Sequence, residues 1–176
     1  MTVLILVLGG ARSGKSHVAE ALAGRLPRPV TYVATLIPDS HDHDLCQRIE
    51  AHRRRRPAAW RTTDAERDLA AQLQTFPATV LLDSLGPWVS AHHPNHDAAQ
   101  GLAAMLAARP GDSVVVSDEV GMSVHPSTSA GRAFRDELGA VNSAIAALAD
   151  HTLLVVAGRV IRAAELDLDG VLGSAR

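Results

Sequence analysis

Aromatic residues and cysteine are scarce in this sequence of 176 residues. Aromatic side chains make up only 3% of the chain, so we expect aliphatic side chains to fill most of the core. The length predicts a single domain over residues 1–176. Cys46 is the only cysteine in the sequence, which excludes an internal disulfide and favours a reducing compartment.

The sequence also lacks a strong net charge and a long apolar run. A formal net charge of −2 predicts no general attraction to nucleic acid or to a membrane surface. No stretch approaches the roughly 20 apolar residues of a membrane span. The apolar run near residue 1 has no basic segment before it, so it predicts a strand and not a secretion signal. We therefore expect a soluble, cytoplasmic protein without a nucleic-acid partner.

Short apolar runs alternate with segments of helical periodicity, which is typical of an α/β protein with a mainly parallel sheet flanked by helices. The predicted strands are Val3–Leu8, Val30–Ala34, Thr79–Leu82, Ser113–Ser117 and Thr152–Ala157. The predicted helices are Lys15–Leu26, Asp44–Arg55, Asp64–Gln74, Asp97–Ala108 and Ala130–Ala149. The last helix has the clearest apolar stripe, which is formed by Phe134, Leu138, Val141, Ile145 and Leu148.

The segment Gly9–Ser16 fits the pattern G-x-x-x-x-G-K-[ST] and lies between a predicted strand and a predicted helix. In that arrangement backbone N–H groups and the helix dipole bind phosphate. Lys15 would contact the β- and γ-phosphates, and the Ser16 hydroxyl would coordinate Mg²⁺. The sequence predicts binding of GTP or ATP, and it does not decide between them. The predicted phosphate-binding residues are Gly9, Gly10, Ala11, Arg12, Ser13, Gly14, Lys15 and Ser16.

A phosphate loop of this kind also needs a carboxylate on the metal side of the site. Asp83 ends an apolar run, which predicts a position at the carboxyl edge of a strand, where open α/β sheets bind ligands. The alternative is that Asp83 caps the next helix. Asp118 and Glu119 follow another apolar run and are equally well located, so the sequence leaves the choice of metal ligand open.

Four consecutive arginines, Arg53–Arg56, follow His52 and end at Pro57. A bare arginine run is usually a solvated basic face, and His52 could be a packed core histidine. Guanidinium groups nevertheless suit phosphate recognition, and nearby positive charge disfavours the charged imidazolium. Neutral imidazole is the nucleophilic form. His52 is therefore a candidate catalytic nucleophile beside arginines that bind nucleotide.

Five segments of the sequence occur together in a known order. They are Gly9-Gly10-Ala11-Arg12-Ser13-Gly14-Lys15-Ser16 with Ala19-Glu20; Tyr32-Val33-Ala34-Thr35; Arg48-Ile49-x-x-His52-Arg53-x-x-Arg56-Pro57-x-x-Trp60; Asp118-Glu119-Val120-Gly121-Met122; and Gly131-Arg132-x-Phe134-Arg135-Asp136-x-x-Gly139-x-x-Asn142. In these segments the chain resembles the bifunctional adenosylcobinamide kinase/adenosylcobinamide-phosphate guanylyltransferase family. The His-Arg-x-x-Arg-Pro-x-x-Trp pattern is much more specific to that family than a phosphate loop, which many families share.

The resemblance implies a RecA-like P-loop fold and two successive reactions. A nucleoside triphosphate phosphorylates the aminopropanol hydroxyl of adenosylcobinamide, and GTP then guanylylates a histidine that passes GMP to the cobinamide phosphate. His52 matches the guanylylated histidine, and Lys15 would serve both reactions. The resemblance also suggests a homotrimer. The matching nucleotide contacts outside the phosphate loop are Ala34, Thr35, Leu36, Arg53, Arg54, Arg55, Arg56, Asp64 and Asp83. The expected Mg²⁺ ligands are Ser16, from the phosphate-loop motif, and Asp83, from its position at a strand end.

Several positions depart from the family pattern. The family usually has Glu in place of Asp64, and it tends to have Asn in place of Asp118 and Gly-Ile-Val-Pro in the loop after Glu119. The segment Ser84–Trp88 after Asp83 follows the pattern only loosely. Two other functions stay open on the sequence alone. One is a small-molecule or nucleoside kinase without guanylyl transfer, and the other is a nucleotide-dependent switch module.

Overall fold

The computed structural model describes residues 2–36, 50, 53–54 and 56–165. Its strands are β1 (Leu4–Gly9), β2 (Val30–Ala34), β3 (Arg61–Asp64), β4 (Thr79–Asp83), β5 (Ser113–Asp118), β6 (His151–Val156) and β7 (Arg159–Ala163). Its helices are α1 (Lys15–Ala23), α2 (Leu69–Gln74), α3 (Leu85–His92), α4 (His96–Ala108) and α5 (Ser129–Ala146).

The strands form one seven-stranded sheet in the order β3-β2-β4-β5-β1-β6-β7. The first six strands of this sheet, from β3 at one edge to β6, are all paired in parallel. The seventh strand, β7, runs antiparallel to its neighbour β6. The carboxyl ends of the parallel strands therefore meet at one edge of the sheet, where the loops that follow β1, β2, β4 and β5 come together. The mainly parallel α/β sheet predicted from the sequence is confirmed.

Side chains of the central strands alternate between two apolar layers, as the period of a strand requires. In β1, Ile5 and Val7 pack in the layer that contains α1. Leu4 and Leu6 pack in the opposite layer, which contains the other four helices. Leu6 and Val7 are fully buried, and complete burial of such a side chain contributes about 1.5–3 kcal/mol. The continuous apolar run of β1 reflects burial on both faces.

All five predicted strands are confirmed, with ends that differ by at most one residue from the prediction. The helix predicted to begin at Asp64 is wrong over its first residues. Residues Arg61–Asp64 pair with β2 as strand β3, and α2 begins only at Leu69, where the Asp68 carboxylate accepts a hydrogen bond from the N–H of Ala71. The helix predicted over Asp44–Arg55 lies mostly outside the described residues.

The ends of two other helices also differ from the prediction. Helix α1 ends at Ala23 rather than Leu26, and Gly24 is its C-cap. Helix α5 ends at Ala146, so Leu148 does not continue the apolar stripe and is 46% exposed. Helix α3 and strands β3 and β7 were not predicted.

Candidate nucleotide site

The loop Gly9–Ser16 turns tightly between β1 and α1. Arg12 and Gly14 have positive φ angles of 58° and 94°, and Gly14 is the N-cap of α1. A Cβ atom on Gly9 would lie 2.5 Å from Ser13 Oγ and 2.7 Å from the Val155 carbonyl oxygen, so only glycine fits there. The N–H of Gly158 donates to the Ser13 carbonyl at 2.8 Å. The loop is thus held against the sheet, directly before a helix N-terminus that favours anions.

Lys15 reaches across the mouth of this loop. Its Nζ lies 2.7 Å from Asp118 Oδ1, at the carboxyl end of β5, and donates to the Gly10 carbonyl at 3.2 Å. The Lys15 side chain is 13% exposed. The ammonium group therefore lies beside the phosphate loop, where it forms an ion pair with Asp118.

Asp83 ends β4 and is contacted by two hydroxyl groups. Ser16 Oγ donates to Asp83 Oδ1 at 3.3 Å, and the Tyr32 hydroxyl donates to Asp83 Oδ2 at 2.8 Å. Burial raises the pKa of the Tyr32 phenol above its usual value, and the negative charge of Asp83 raises it further. Tyr32 therefore remains a neutral hydrogen-bond donor to the carboxylate.

The arginine segment reaches this cluster through Arg56. Its guanidinium carbon lies 3.3 Å from the centre of the Tyr32 ring, a cation–π contact on a buried aromatic side chain. Trp60 follows closely and packs in the apolar layer of α1. Arg56 therefore contacts Tyr32, which belongs to the same apolar layer as Trp60.

These residues surround a cavity of about 460 Å³ at the carboxyl edge of the sheet. We call it the nucleotide cavity. The predicted site residues that line it are Arg12, Ser13, Gly14, Lys15, Ser16, Ala34, Leu36, Arg53, Arg56, Asp64 and Asp83. The other lining residues are His17, Tyr32, Thr62, Ser84, Pro87 and Asp118.

Several predicted residues do not line the nucleotide cavity. Gly9, Gly10 and Ala11 form the turn behind it. The Thr35 hydroxyl contacts the Ser84 carbonyl and accepts from the Ser84 N–H at 3.1 Å. Arg54 is exposed and pairs with Glu50 at 3.1 Å. Glu119 lines a different cavity. The candidate nucleophile His52, as well as Arg55, lies outside the described residues.

One of the lining residues that sequence reasoning missed carried a readable signal. Tyr32 is the only tyrosine in the sequence and lies in a predicted buried strand, where a phenol needs a hydrogen-bond partner. Thr62 belongs to β3, which has no apolar pattern. Asp118 was considered only as a rival metal ligand, and its pairing with Lys15 depends on β5 lying beside β1.

The pair Ser16 and Asp83 suits a magnesium ion. Mg²⁺ prefers oxygen ligands and usually takes one or two from the protein, with water and phosphate oxygens completing its shell. Ser16 Oγ and Asp83 Oδ1 are adjacent and open to the nucleotide cavity. Within the described residues no group of three or more His, Cys, Asp or Glu side chains could hold a metal ion. Two protein ligands are enough here, because oxygens of phosphates bound at the neighbouring loop would complete the coordination shell of the ion.

Together, the loop Gly9–Ser16, the converging Lys15 and Asp83, and the parallel sheet define a P-loop nucleotide-binding protein. The family model of cobinamide kinase / cobinamide phosphate guanyltransferase matches residues 5–163. The chain belongs to this family, and its activities are those of a cobinamide kinase and a cobinamide-phosphate guanylyltransferase.

Curated relatives agree over nearly their whole length. The bifunctional adenosylcobalamin biosynthesis protein CobU of Salmonella typhimurium is 37% identical over 178 aligned positions, which cover 89% of this chain and 97% of that protein. The corresponding protein CobP of Pseudomonas aeruginosa is 36% identical over 162 positions, covering 87% of this chain and 92% of that protein.

Solved structures support the fold. A protein from Pyrococcus horikoshii OT3 matches with a TM-score of 0.53 at 10% identity and covers 95% of this chain and 90% of its own. The type III secretion ATPase EscN of enteropathogenic E. coli matches with a TM-score of 0.53 at 9% identity, over 89% of this chain and 43% of its own. At this identity the likeness shows the fold alone, and it agrees with the predicted P-loop class. None of the helices among the described residues is long and apolar enough to cross a membrane.

Proposed function

We propose that both reactions use the nucleotide cavity, with Lys15, Ser16, Asp83 and the arginines as shared residues and His52 as the nucleophile of the second reaction. The observation that carries this proposal is the convergence of the phosphate loop, Asp83 and Arg56 on one cavity of about 460 Å³. A single triphosphate site fits a chain of this size better than two. The product would serve adenosylcobalamin biosynthesis, as the names of the relatives indicate, in a reducing, cytoplasmic compartment.

In the kinase reaction, the aminopropanol hydroxyl oxygen of adenosylcobinamide attacks the γ-phosphorus of GTP or ATP. The bond from that phosphorus to the bridging oxygen breaks, the nucleoside diphosphate leaves, and the hydroxyl proton passes to solvent. Lys15 would bind the β- and γ-phosphate oxygens and stabilise the charge that develops on them. The backbone N–H groups of the loop would hold the same phosphates in line with the acceptor.

In the guanylyl transfer, a neutral His52 ring nitrogen attacks the α-phosphorus of GTP. A P–N bond forms, the bond to the bridging oxygen breaks, and pyrophosphate leaves. A phosphate oxygen of cobinamide phosphate then attacks the same phosphorus, the P–N bond breaks, and His52 is released. Arg53 and Arg56 line the cavity and would bind the oxygens that gain charge in these steps. The covalent step lets GTP and the corrinoid react in turn.

Magnesium belongs to the proposal, with Ser16 and Asp83 as its protein ligands. When bound, Mg²⁺ neutralises charge on the triphosphate oxygens. Ser16 and Asp83 would keep the triphosphate aligned with Lys15, and the Tyr32 hydrogen bond would orient the Asp83 carboxylate toward this position.

The proposal is tested by incubating the protein with [α-³²P]GTP and magnesium. We expect a labelled adduct that is acid-labile and base-stable, as a phosphoramidate is, and that maps to His52. The variant His52→Ala should lose the label and keep kinase turnover. His96→Ala is the matched control, because His96 is exposed on α4 and does not line the nucleotide cavity. A label retained in His52→Ala would contradict the assignment. The absence of any adduct in the unaltered protein would favour a kinase without guanylyl transfer.

We also propose that the protein assembles as a homo-oligomer, a trimer by family resemblance. Strand β7 supports this, since all five of its residues are exposed and it forms an edge of the sheet. Val160 and Ile161 are 48% and 55% exposed, and an apolar edge strand favours association. Sedimentation should give a trimer for the unaltered protein and smaller species for Ile161→Lys. Leu148→Lys, at an exposed position just after the end of α5, should leave the assembly unchanged.

A further inference from the structure

A second cavity of about 490 Å³ shares no lining residue with the nucleotide cavity. We call it the α5 cavity, because six of its ten lining residues come from that helix. Its lining residues are Leu8, Glu119, Val120, Gly121, Arg135, Asp136, Gly139, Asn142, Ser143 and Ala146. The proposed reactions so far use none of them.

The α5 cavity is lined by a stripe of α5 residues that do not belong to the apolar core. Arg135, Gly139 and Asn142 follow one another at spacings of four and three residues, so they share a face of the helix. The neighbouring stripe of Leu138 and Val141 is fully buried in the core. The helix therefore presents an apolar face to the sheet and a polar, glycine-containing face to the α5 cavity.

A buried polar atom of Asn142 indicates that this cavity binds a ligand. The residue is only 6% exposed, and its Nδ2 donates to the Asp118 carbonyl at 3.1 Å. Its Oδ1 is buried and has no hydrogen-bond partner within the part of the chain that the structure describes. Buried side-chain oxygens without a partner are rare because they are costly. A ligand that donates an N–H group would satisfy this oxygen.

The two cavities are connected through Asp118 and Glu119. The Asp118 side chain contacts Lys15 at 2.7 Å in the nucleotide cavity, while its carbonyl accepts from Asn142. The Glu119 N–H donates to the Gly9 carbonyl at 3.1 Å, and the Glu119 side chain lines the α5 cavity. Two residues that line the α5 cavity thus adjoin the phosphate loop, since Leu8 precedes Gly9 in the chain and Glu119 is hydrogen-bonded to Gly9.

We propose that the α5 cavity binds carboxamide side chains of the cobinamide corrin ring and so positions the acceptor beside the triphosphate. This inference rests on the proposed function. A carboxamide has N–H donors and a carbonyl acceptor. The carboxylates of Glu119 and Asp136 and the Asn142 Oδ1 accept from the former, and the Arg135 guanidinium donates to the latter.

The loop beside the α5 cavity would contact the apolar part of the same ligand. Met122 and Val124 are 72% and 91% exposed, and they belong to a loop that follows cavity residue Gly121. That loop is attached to α5, since Arg135 Nη1 lies 2.9 Å from His125 Nδ1. Exposed apolar side chains next to a polar cavity match a ring that carries amide groups at its periphery.

Gly139 allows a direct test by filling the cavity. A Cβ atom on Gly139 would meet nothing within 4 Å, and the same holds for Gly101 on α4, which does not line the cavity. Both positions are helical, so either substitution should maintain or raise the melting temperature. We expect Gly139→Leu to raise the dissociation constant of adenosylcobinamide by about tenfold, which corresponds to about 1.4 kcal/mol, and Gly139→Ala to raise it less. Gly101→Leu should leave it unchanged.

Equilibrium dialysis followed by the visible absorbance of the corrin measures these constants directly. GTP affinity should be unchanged in all three variants, which separates the α5 cavity from the nucleotide cavity. A cobinamide analogue with methyl esters in place of its carboxamides, which cannot donate N–H bonds, should bind more weakly to the unaltered protein. Equal cobinamide binding by Gly139→Leu and Gly101→Leu, or equal binding of the ester analogue, overturns the inference and leaves the proposed function intact. An unaltered protein that forms no product from cobinamide overturns both.

Discussion

The Tyr32 hydroxyl donates a 2.8 Å hydrogen bond to Asp83 Oδ2. This bond joins neighbouring strands, from the middle of β2 to the carboxyl end of β4. The other carboxylate oxygen, Asp83 Oδ1, accepts a hydrogen bond from Ser16. The Arg56 guanidinium lies over the face of the Tyr32 ring. One buried side chain therefore orients the proposed metal ligand and supports an arginine of the nucleotide cavity.

Tyr32→Phe should weaken magnesium binding, because the ring and its contact with Arg56 remain while the donor to Asp83 is lost. We expect the magnesium concentration for half-maximal kinase activity to rise about three- to tenfold and the free energy of unfolding to fall by about 1 kcal/mol. The measurement is a magnesium titration at saturating GTP. Thr79→Val is the matched control, since it removes another buried hydrogen bond, to the Pro27 carbonyl at 2.6 Å. An equal magnesium shift in both variants would show that Tyr32 acts through stability alone.

The raised pKa of Tyr32 predicts a destabilisation in alkali. Because its pKa is raised by burial, Tyr32 binds its proton more tightly in the folded protein than in the unfolded chain. The free energy of unfolding is therefore unaffected below the unfolded pKa of about 10 and falls as the pH rises above it. Tyr32 is the only tyrosine in the sequence, so tyrosinate absorbance reports on it alone. We expect the folded protein to show no tyrosinate at a pH where the urea-unfolded chain is already ionised. Coincident titration curves would contradict the burial of this phenol.

Lys15→Ala should impair the kinase reaction and the guanylylation together, because one triphosphate site serves both. Removal of a donor that stabilises developing charge costs about 10²–10³ in kcat. The two rates are measured separately, as phosphocobinamide formation and as labelling by GTP. Arg25→Ala, which removes an exposed cation after α1, should change neither. Loss of one activity with the other unchanged would mean that the reactions use different phosphate sites.

Asp83→Asn and Asp118→Asn decide which carboxylate holds the metal. Asp83 contacts Ser16 at 3.3 Å, whereas Asp118 contacts Lys15 at 2.7 Å. We expect Asp83→Asn to raise the magnesium requirement by about tenfold or more. Asp118→Asn should instead tighten GTP binding, since it frees Lys15 for the phosphates without removing a metal ligand. Nucleotide dissociation constants and magnesium titrations of both variants test this, and the reverse pattern would assign the metal to Asp118.

Local patterns explain which elements could be predicted. The buried central strands are continuous apolar runs, so each is visible in its own few residues. Strand β3 consists of Arg61, Thr62, Thr63 and Asp64 at the edge of the sheet, mostly exposed, and only its pairing with β2 makes it a strand. Helix α3 begins at Leu85 and continues with Gly86-Pro87, a dipeptide that normally indicates a turn. Both elements arise from tertiary contacts that outweigh local propensity.

The sequence by itself determined the phosphate loop, because the spacing of Gly9, Gly14, Lys15 and Ser16 is a local property of a strand–turn–helix unit. It also indicated the family through the segment from His52 to Trp60. Only the tertiary structure decided that Asp118 pairs with Lys15 while Asp83 pairs with Ser16 and Tyr32. The reason is strand order: β5 lies directly beside β1, and β4 lies between β5 and β2. Side chains far apart in the chain meet at the carboxyl edge of the sheet only after these strands have paired.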